Sequence, residues 1–144
     1  MIAVDTNILI YAHRAETDLH TAALTRLTAL AEGSRPWVIP VFCITEFLRV
    51  VTHARVFNPP SRPQVAIRFI QGLLESPSCR IASPGSGFFE HLTALVTESG
   101  VRGNLLFDAQ IAALCREQGI SDILTNDRDF ERFGNLKVLL LHDD

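Results

Sequence analysis

Ile2-Ala3-Val4-Asp5-Thr6-Asn7-Ile8-Leu9-Ile10-Tyr11-Ala12-His13 opens the chain, and its reading sets the architecture. Residues 2–4 form a short apolar run closed by an acid, which predicts a strand ending at Asp5. The segment from Thr6 to His13 predicts a helix. A strand that passes directly into a helix is the unit from which parallel sheets are built.

Outward from this stretch the alternation repeats. Residues 19–30 place Leu24, Leu27 and Leu30 on one side of a helix, and Gly33 stops it. Trp37-Val38-Ile39 predicts a second strand closed by Pro40, followed by a helix over 41–52 with Phe47, Val50 and Val51 among its apolar residues. A proline-rich loop over 53–62 is long enough to be mobile. A helix over 63–75 begins with Pro63, which suits a first turn. Arg80-Ile81-Ala82 predicts a third, weaker strand, and Pro84-Gly85-Ser86-Gly87 a turn. Helices over 88–98 and 105–118 follow, ended by Gly100 and Gly119. Residues 122–125 predict a fourth strand, 129–133 a helical turn and 137–141 a last strand. The expectation is a single α/β domain over residues 1–144, with a mostly parallel central sheet flanked by helices on both faces.

Composition bounds the function classes. The chain has 144 residues, 47% hydrophobic and 20% charged, which describes a globular domain and excludes a disordered one. A net charge of -3 does not by itself announce a nucleic-acid binder. All Lys and Arg residues except Lys137 are arginine, a residue suited to bidentate phosphate contacts, although codon usage gives the same bias. Cys43, Cys79 and Cys115 form no CxxC pair and are expected to be small buried hydrophobes in a reducing compartment. The five histidines (13, 20, 53, 91 and 142) make no metal-ligand spacing. No apolar stretch approaches the ~20 residues a membrane helix needs, and the N-terminus lacks a basic leader. A soluble, cytoplasmic protein with no membrane partner is expected.

Four acids carry the chemistry. Asp5 ends the first strand, Asp127 lies just beyond the fourth, and Glu46 and Asp108 lie early in helices. In open parallel sheets, ligand sites form beyond the carboxyl ends of the strands, so all four are expected to converge there. Each alone has an ordinary structural reading. Asp5 suits a helix N-cap, Glu46 pairs with Arg49 at i+3, Asp108 suits the helix dipole, and Asp127 suits a polar turn. In that turn Asp129 is the better candidate for the cap. Asp108, however, shares a face with Ile111, Ala112 and Cys115, and a buried carboxylate needs a cation or a proton. Two carboxylates about 4 Å apart repel by roughly 4 kcal/mol at an effective dielectric near 20. An all-oxygen cluster of that kind suits Mg²⁺ or Mn²⁺, which can activate water and stabilise a leaving oxygen.

Val4-Asp5-Thr6-Asn7, Thr45-Glu46-Phe47, Gly103-Asn104-Leu105-Leu106-Phe107-Asp108-Ala109 and Thr125-Asn126-Asp127-Arg128-Asp129-Phe130 together resemble the motifs of PIN-domain ribonucleases, and of VapC-type toxins in particular. The resemblance covers nearly the whole chain in order and length. It implies a metal-dependent endoribonuclease that hydrolyses RNA, commonly tRNA or rRNA, with metal-activated water, as the toxin of a type II toxin–antitoxin system. It implies that Asp5, Glu46, Asp108 and Asp127 form a catalytic quartet holding one or two Mg²⁺ or Mn²⁺ ions, with Asp5, Asp108 and Asp127 as the tighter site. Asn7 and Thr125 would support it, and Asp129 would contribute further charge. It also implies a homodimer and a small cognate antitoxin. Arg14, Arg49, Arg102 and Arg128 lie near the motifs and are candidates for RNA contacts. Rival readings are a DNA-directed phosphodiesterase, a non-catalytic binding module and a receiver domain. The last fails because Asp5 has no acidic neighbour and residues 52–63 contain no Asp.

Overall fold

A computed structural model describes residues 1–141; His142 and the end of the expected single domain lie outside the described residues. Five strands form one sheet: β1 (Ile2–Val4), β2 (Trp37–Pro40), β3 (Cys79–Ala82), β4 (Asp122–Thr125) and β5 (Lys137–Leu140). Six α-helices accompany them: α1 (Thr6–His13), α2 (His20–Glu32), α3 (Val41–Val51), α4 (Pro63–Leu74), α5 (Phe88–Ser99) and α6 (Leu105–Gln118). A 3-10 helix spans Arg128–Arg132.

Strand order is β3-β2-β1-β4-β5, and every pairing is parallel. The order runs outward from β1 in both directions, so β1 and β4 flank the point where the winding reverses. Right-handed crossovers then place α1–α4 and α5–α6 on opposite faces. The packing agrees: α1 lies against α2 and α3, α3 against α4, and α5 against α6.

The central strands are buried on both faces, so they read as unbroken apolar runs rather than alternating ones. β3 is an edge strand with Ile81 41% exposed, which explains why its sequence signal is weak. Trp37, Phe47, Phe130 and Phe133 are the largest fully buried side chains of the core. Cys43 and Cys115 are buried as expected, but Cys79, on the edge strand, is only half-buried; all three are free thiols.

The loop over 53–62 is tied down rather than left free. Arg14 donates to Ser61 Oγ at 3.0 Å and to the Pro59 carbonyl at 2.8 Å, and its guanidinium lies 4.5 Å from the Phe57 ring centroid. His13 Nε2 meets Ser61 Oγ at 2.8 Å.

Register matters most between β1 and β4. Ala3 pairs with Ile123 and Val4 with Leu124, and the Asp5 amide donates to the Leu124 carbonyl at 3.0 Å. Asp5 and Thr125 therefore emerge side by side at the carboxyl edge. A one-residue slip would turn one of them to the opposite face.

Candidate active site

Asp5 is the N-cap of α1, and its Oδ1 accepts the Thr6 amide at 2.7 Å. Its Oδ2 accepts the Thr125 hydroxyl at 2.7 Å. The Cys43 thiol approaches Oδ1 at 3.9 Å from behind. Capping and site placement are thus one arrangement, because the residue that ends β1 also starts α1. Burial pushes the Asp5 carboxyl up to about 6, against the lowering effect of the Thr125 and Thr6 hydrogen bonds; Glu46 and Asp127 add repulsion.

Thr125 is fully buried and serves three partners. Besides donating to Asp5, its hydroxyl accepts from the Asp127 amide at 3.0 Å and from Asn7 Nδ2 at 3.4 Å. Asn7 Oδ1 accepts the Asn126 amide at 3.3 Å. One buried hydroxyl and one amide side chain thereby fix the turn after β4 against the start of α1.

That turn carries two acids. Asp127, not Asp129, caps the 3-10 helix: its Oδ1 accepts the Asp129 amide at 2.8 Å. The cap falls earlier than the sequence suggests because Arg128 already has helical geometry. With Asp127 as cap, Asp129 is carried into the first turn. Carboxylate oxygens of Asp108, Asp127 and Asp129 then lie within 4.8 Å of one another. The tightest group among the described residues therefore contains Asp129 in the place expected for Asp5, which stands beside the group, held by its own hydrogen bonds.

Asp108 sits in the first turn of α6. Burial raises its carboxyl to about 7, with further upward pressure from Asp127, Asp5, Asp129 and Glu46 in that order. All five acids thus act on one place. Glu46 is the outlying member. Its side chain is 45% exposed, its Oε2 accepts the Thr6 hydroxyl at 3.3 Å, and Arg49 approaches its Oε1 at 3.9 Å.

No ion pair reaches Asp5, Asp108 or Asp127 among the described residues; Asp129 has Arg132 at 3.3 Å. Uncompensated carboxylates this close call for protons or cations. Hard oxygen donors fit a small divalent ion, so the residues present suit Mg²⁺ or Mn²⁺. Of the candidate RNA-contacting arginines, Arg14 is committed to Glu16 and the 53–62 loop, and Arg128 pairs with Glu131 at 3.1 Å. Arg49 and Arg102 are exposed.

Thr6 and Cys43 are site neighbours that sequence reasoning missed. Thr6 follows Asp5 directly, so its hydroxyl had a local signal. Cys43 had none, since its approach to Asp5 exists only where α3 packs against α1, the helix that Asp5 caps.

A PIN-domain family model matches residues 2–136, so the chain belongs to the PIN-domain family. Ribonuclease VapC43 of Mycobacterium tuberculosis is 35% identical over 137 residues, covering 95% of this chain and 92% of the relative. Ribonuclease VapC48 of the same organism is 29% identical over 134 residues, covering 93% and 92%. Among solved structures, VapBC2 from Rickettsia felis, bound to a DNA fragment from its promoter, has a TM-score of 0.70 at 21% identity, covering 97% of this chain and 98% of that one. VapC20 of Mycobacterium tuberculosis, a toxin that cleaves the sarcin-ricin loop, has a TM-score of 0.69 at 20% identity, covering 94% and 96%.

Proposed function

We propose that this chain is a divalent-metal-dependent endoribonuclease and the toxin of a type II toxin–antitoxin pair. The observation that carries the reading is the convergence of Asp108, Asp127 and Asp129 within 4.8 Å at the edge where Asp5 also emerges, with no cation to balance the first two among the described residues. Ribonuclease names among relatives at up to 35% identity support the RNA substrate.

Asp108, Asp127 and Asp129 would hold the ion, with Asp5 as the neighbouring ligand and Glu46 at the rim. Asp127 Oδ1 accepts the Asp129 amide, and because a carboxylate oxygen has two lone pairs, Asp127 would still ligate through either oxygen. Asp5 keeps a fixed orientation because both of its oxygens are hydrogen-bonded. Bound there, Mg²⁺ or Mn²⁺ supplies a lowered water pKa and a counter-charge for the phosphoryl and leaving oxygens. Glu46, partly exposed beside the group, would accept a proton from water entering the site. Water oxygen bonds to phosphorus as its proton passes to Glu46, the bond from phosphorus to the leaving oxygen breaks, and that oxygen takes up a proton from solvent.

Antitoxin partnership follows the VapBC complexes among the structural neighbours, such as that of Salmonella typhimurium. A homodimer is consistent with Phe89, which is 76% exposed at the start of α5 and offers apolar surface for a second copy. The free thiols suit a reducing cytoplasm, and no described helix is long and apolar enough to cross a membrane.

The test is cleavage of RNA and single-stranded DNA in parallel, with Mg²⁺, with Mn²⁺ and with EDTA. Cleavage of RNA alone, lost in EDTA and in Asp108→Asn, is expected. Equal cleavage of DNA would favour a general phosphodiesterase, since the acids themselves do not sense the 2′-OH. Undiminished cleavage in EDTA would overturn the metal role.

A further inference from the structure

Beside the carboxylates lies a cleft of about 470 Å³, lined by Phe42, Thr45, Glu46 and Arg49 of α3 and by Phe107 and Gln110 of α6. Hydrolysis alone does not need it. It is nevertheless continuous with the acids: Glu46 belongs to both, and Phe107 immediately precedes Asp108. Phe107 is 62% exposed, an unusual state for a phenyl ring on a helix whose following turns are buried.

We propose that this cleft is a nucleotide-base subsite, in which an unstacked base beside the scissile phosphate lies on the Phe107 ring, with Gln110 and Thr45 available to its polar edge and Arg49 to the adjoining phosphate. The inference rests on the ribonuclease reading and names how that site selects its substrate.

Three features favour a base over other occupants. The volume lies in the range of small-molecule sites, enough for one base with its sugar. The lining joins two aromatic rings to an amide, a hydroxyl and a guanidinium, the combination by which single-stranded RNA is stacked and hydrogen-bonded. The charge along the chain that follows the α3 wall of the cleft suits a polyanion. From Phe47 to Leu74 the chain contains Arg49, Arg55, Arg62 and Arg68 and no Asp or Glu, although the whole chain has a net charge of -3. All four arginines are exposed, and Arg55, Arg62 and Arg68 make no ion pair among the described residues. An RNA strand crossing the cleft from the acidic site would reach this basic segment at Arg49.

Steady-state cleavage of a short single-stranded RNA by wild type, Phe107→Ala, Phe107→Tyr and Gln110→Ala tests the subsite. Loss of one stacked base predicts a KM about 5- to 100-fold higher in Phe107→Ala. Phe107→Tyr should restore it, because a phenol ring stacks equally well. Gln110→Ala should change the base preferred beside the cut when product ends of a random RNA pool are sequenced. Calorimetric Mn²⁺ binding by Phe107→Ala should match wild type, which separates a base contact from damage to the acids. Quenching of 2-aminopurine RNA by the metal-free protein distinguishes the subsite from the ribonuclease activity. Quenching that depends on Phe107 in a wild type that cleaves no RNA would sink the ribonuclease and keep the subsite. Wild-type cleavage with unchanged KM and preference in both alanine variants would sink the subsite and keep the ribonuclease. A Phe107→Ala protein altered only in oligomeric mass would assign the ring to a protein interface and overturn the proposal.

Discussion

Thr125 Oγ1 donates to Asp5 Oδ2 at 2.7 Å although the two residues stand 120 positions apart. The bond closes the gap between β1 and β4 where the sheet reverses its winding. It also sets the direction of the Asp5 lone pairs. Thr125→Val keeps shape and burial but removes the donor to Asp5 and the acceptor for Asn7 and Asp127. Removing a supporting partner of this kind typically costs 10- to 100-fold in metal affinity or activity. Thr125→Ser should keep most of both. Mn²⁺ titration and RNA cleavage of the two variants check this; equal behaviour would remove Thr125 from the site.

Asp108→Asn is expected to abolish cleavage and to stabilise the metal-free protein. Its charge is opposed by burial and by four acids, and no ion pair offsets it among the described residues. Allowing for its partial exposure, the gain should be about 1–2 kcal/mol, or about 2–8 °C in Tm. Asp5→Asn is a poorer test of the same idea. Its new amide would donate toward a Thr125 hydroxyl that already accepts from Asn7 and Asp127, so relief of repulsion is offset by a broken hydrogen bond. Thermal melts in EDTA should therefore rank Asp108→Asn above wild type and above Asp5→Asn.

The pH dependence follows with a definite sign. Asp5 at about 6 and Asp108 at about 7 both lie above their ordinary value of 3.8. Between about pH 4 and 7 the folded state thus holds more protons than the unfolded one. Stability from these groups is complete below about pH 4 and is lost as pH rises through about 6–7. In EDTA, the deficit of wild type against Asp108→Asn should grow from about pH 4 to 7 and level off above. Saturating Mg²⁺ should reverse the trend, because binding competes with those protons. A deficit that does not vary with pH would contradict it.

Asp129→Asn separates the tight carboxylate group from its rim. If Asp129 ligates, this change should weaken Mn²⁺ binding about 10-fold or more. Glu46→Gln should leave the binding nearly intact while lowering kcat. The opposite ranking in calorimetry and kinetics would restore Glu46 to the inner group.

Replacing Arg55, Arg62 and Arg68 with Gln tests the basic segment without touching the acids. For every phosphate of single-stranded RNA that is no longer neutralised, the dependence of log KM on log salt should flatten by about 0.7. An unchanged slope would mean that the strand leaves the site another way.

Most element boundaries were legible because central strands buried on both faces appear as short apolar runs, while α3 and α4 keep an apolar stripe. Where the signal faded, the cause was exposure: β3 is an edge strand and mixes Arg80 with an exposed Ile81. The 53–62 loop looked free because the residues that tie it, Arg14 and His13, lie at the end of α1. The sequence favoured Asp129 over Asp127 as the cap of the turn after β4, and residue type could not correct this, since both acids suit a cap. Only the backbone geometry of Arg128 decides that Asp127 is the cap and that Asp129, in the first turn, stands with it beside Asp108.

By itself, the sequence determined that the chain alternates strands and helices, that its acids fall at strand ends and helix starts, and that the ordered motifs belong to the PIN-domain family. Local pattern is enough for these, because hydrophobic period and residue type act over a few neighbours. Tertiary structure decided that Asp129 stands with Asp108 and Asp127, that Thr125 orients Asp5, and that Phe107 borders a cleft with Phe42. Those facts depend on the parallel register of β1 with β4 and on the packing of α3 near α6. Repulsion between carboxylates falls off over a few ångströms, so which acids share an ion is set by distances that exist only in the folded chain.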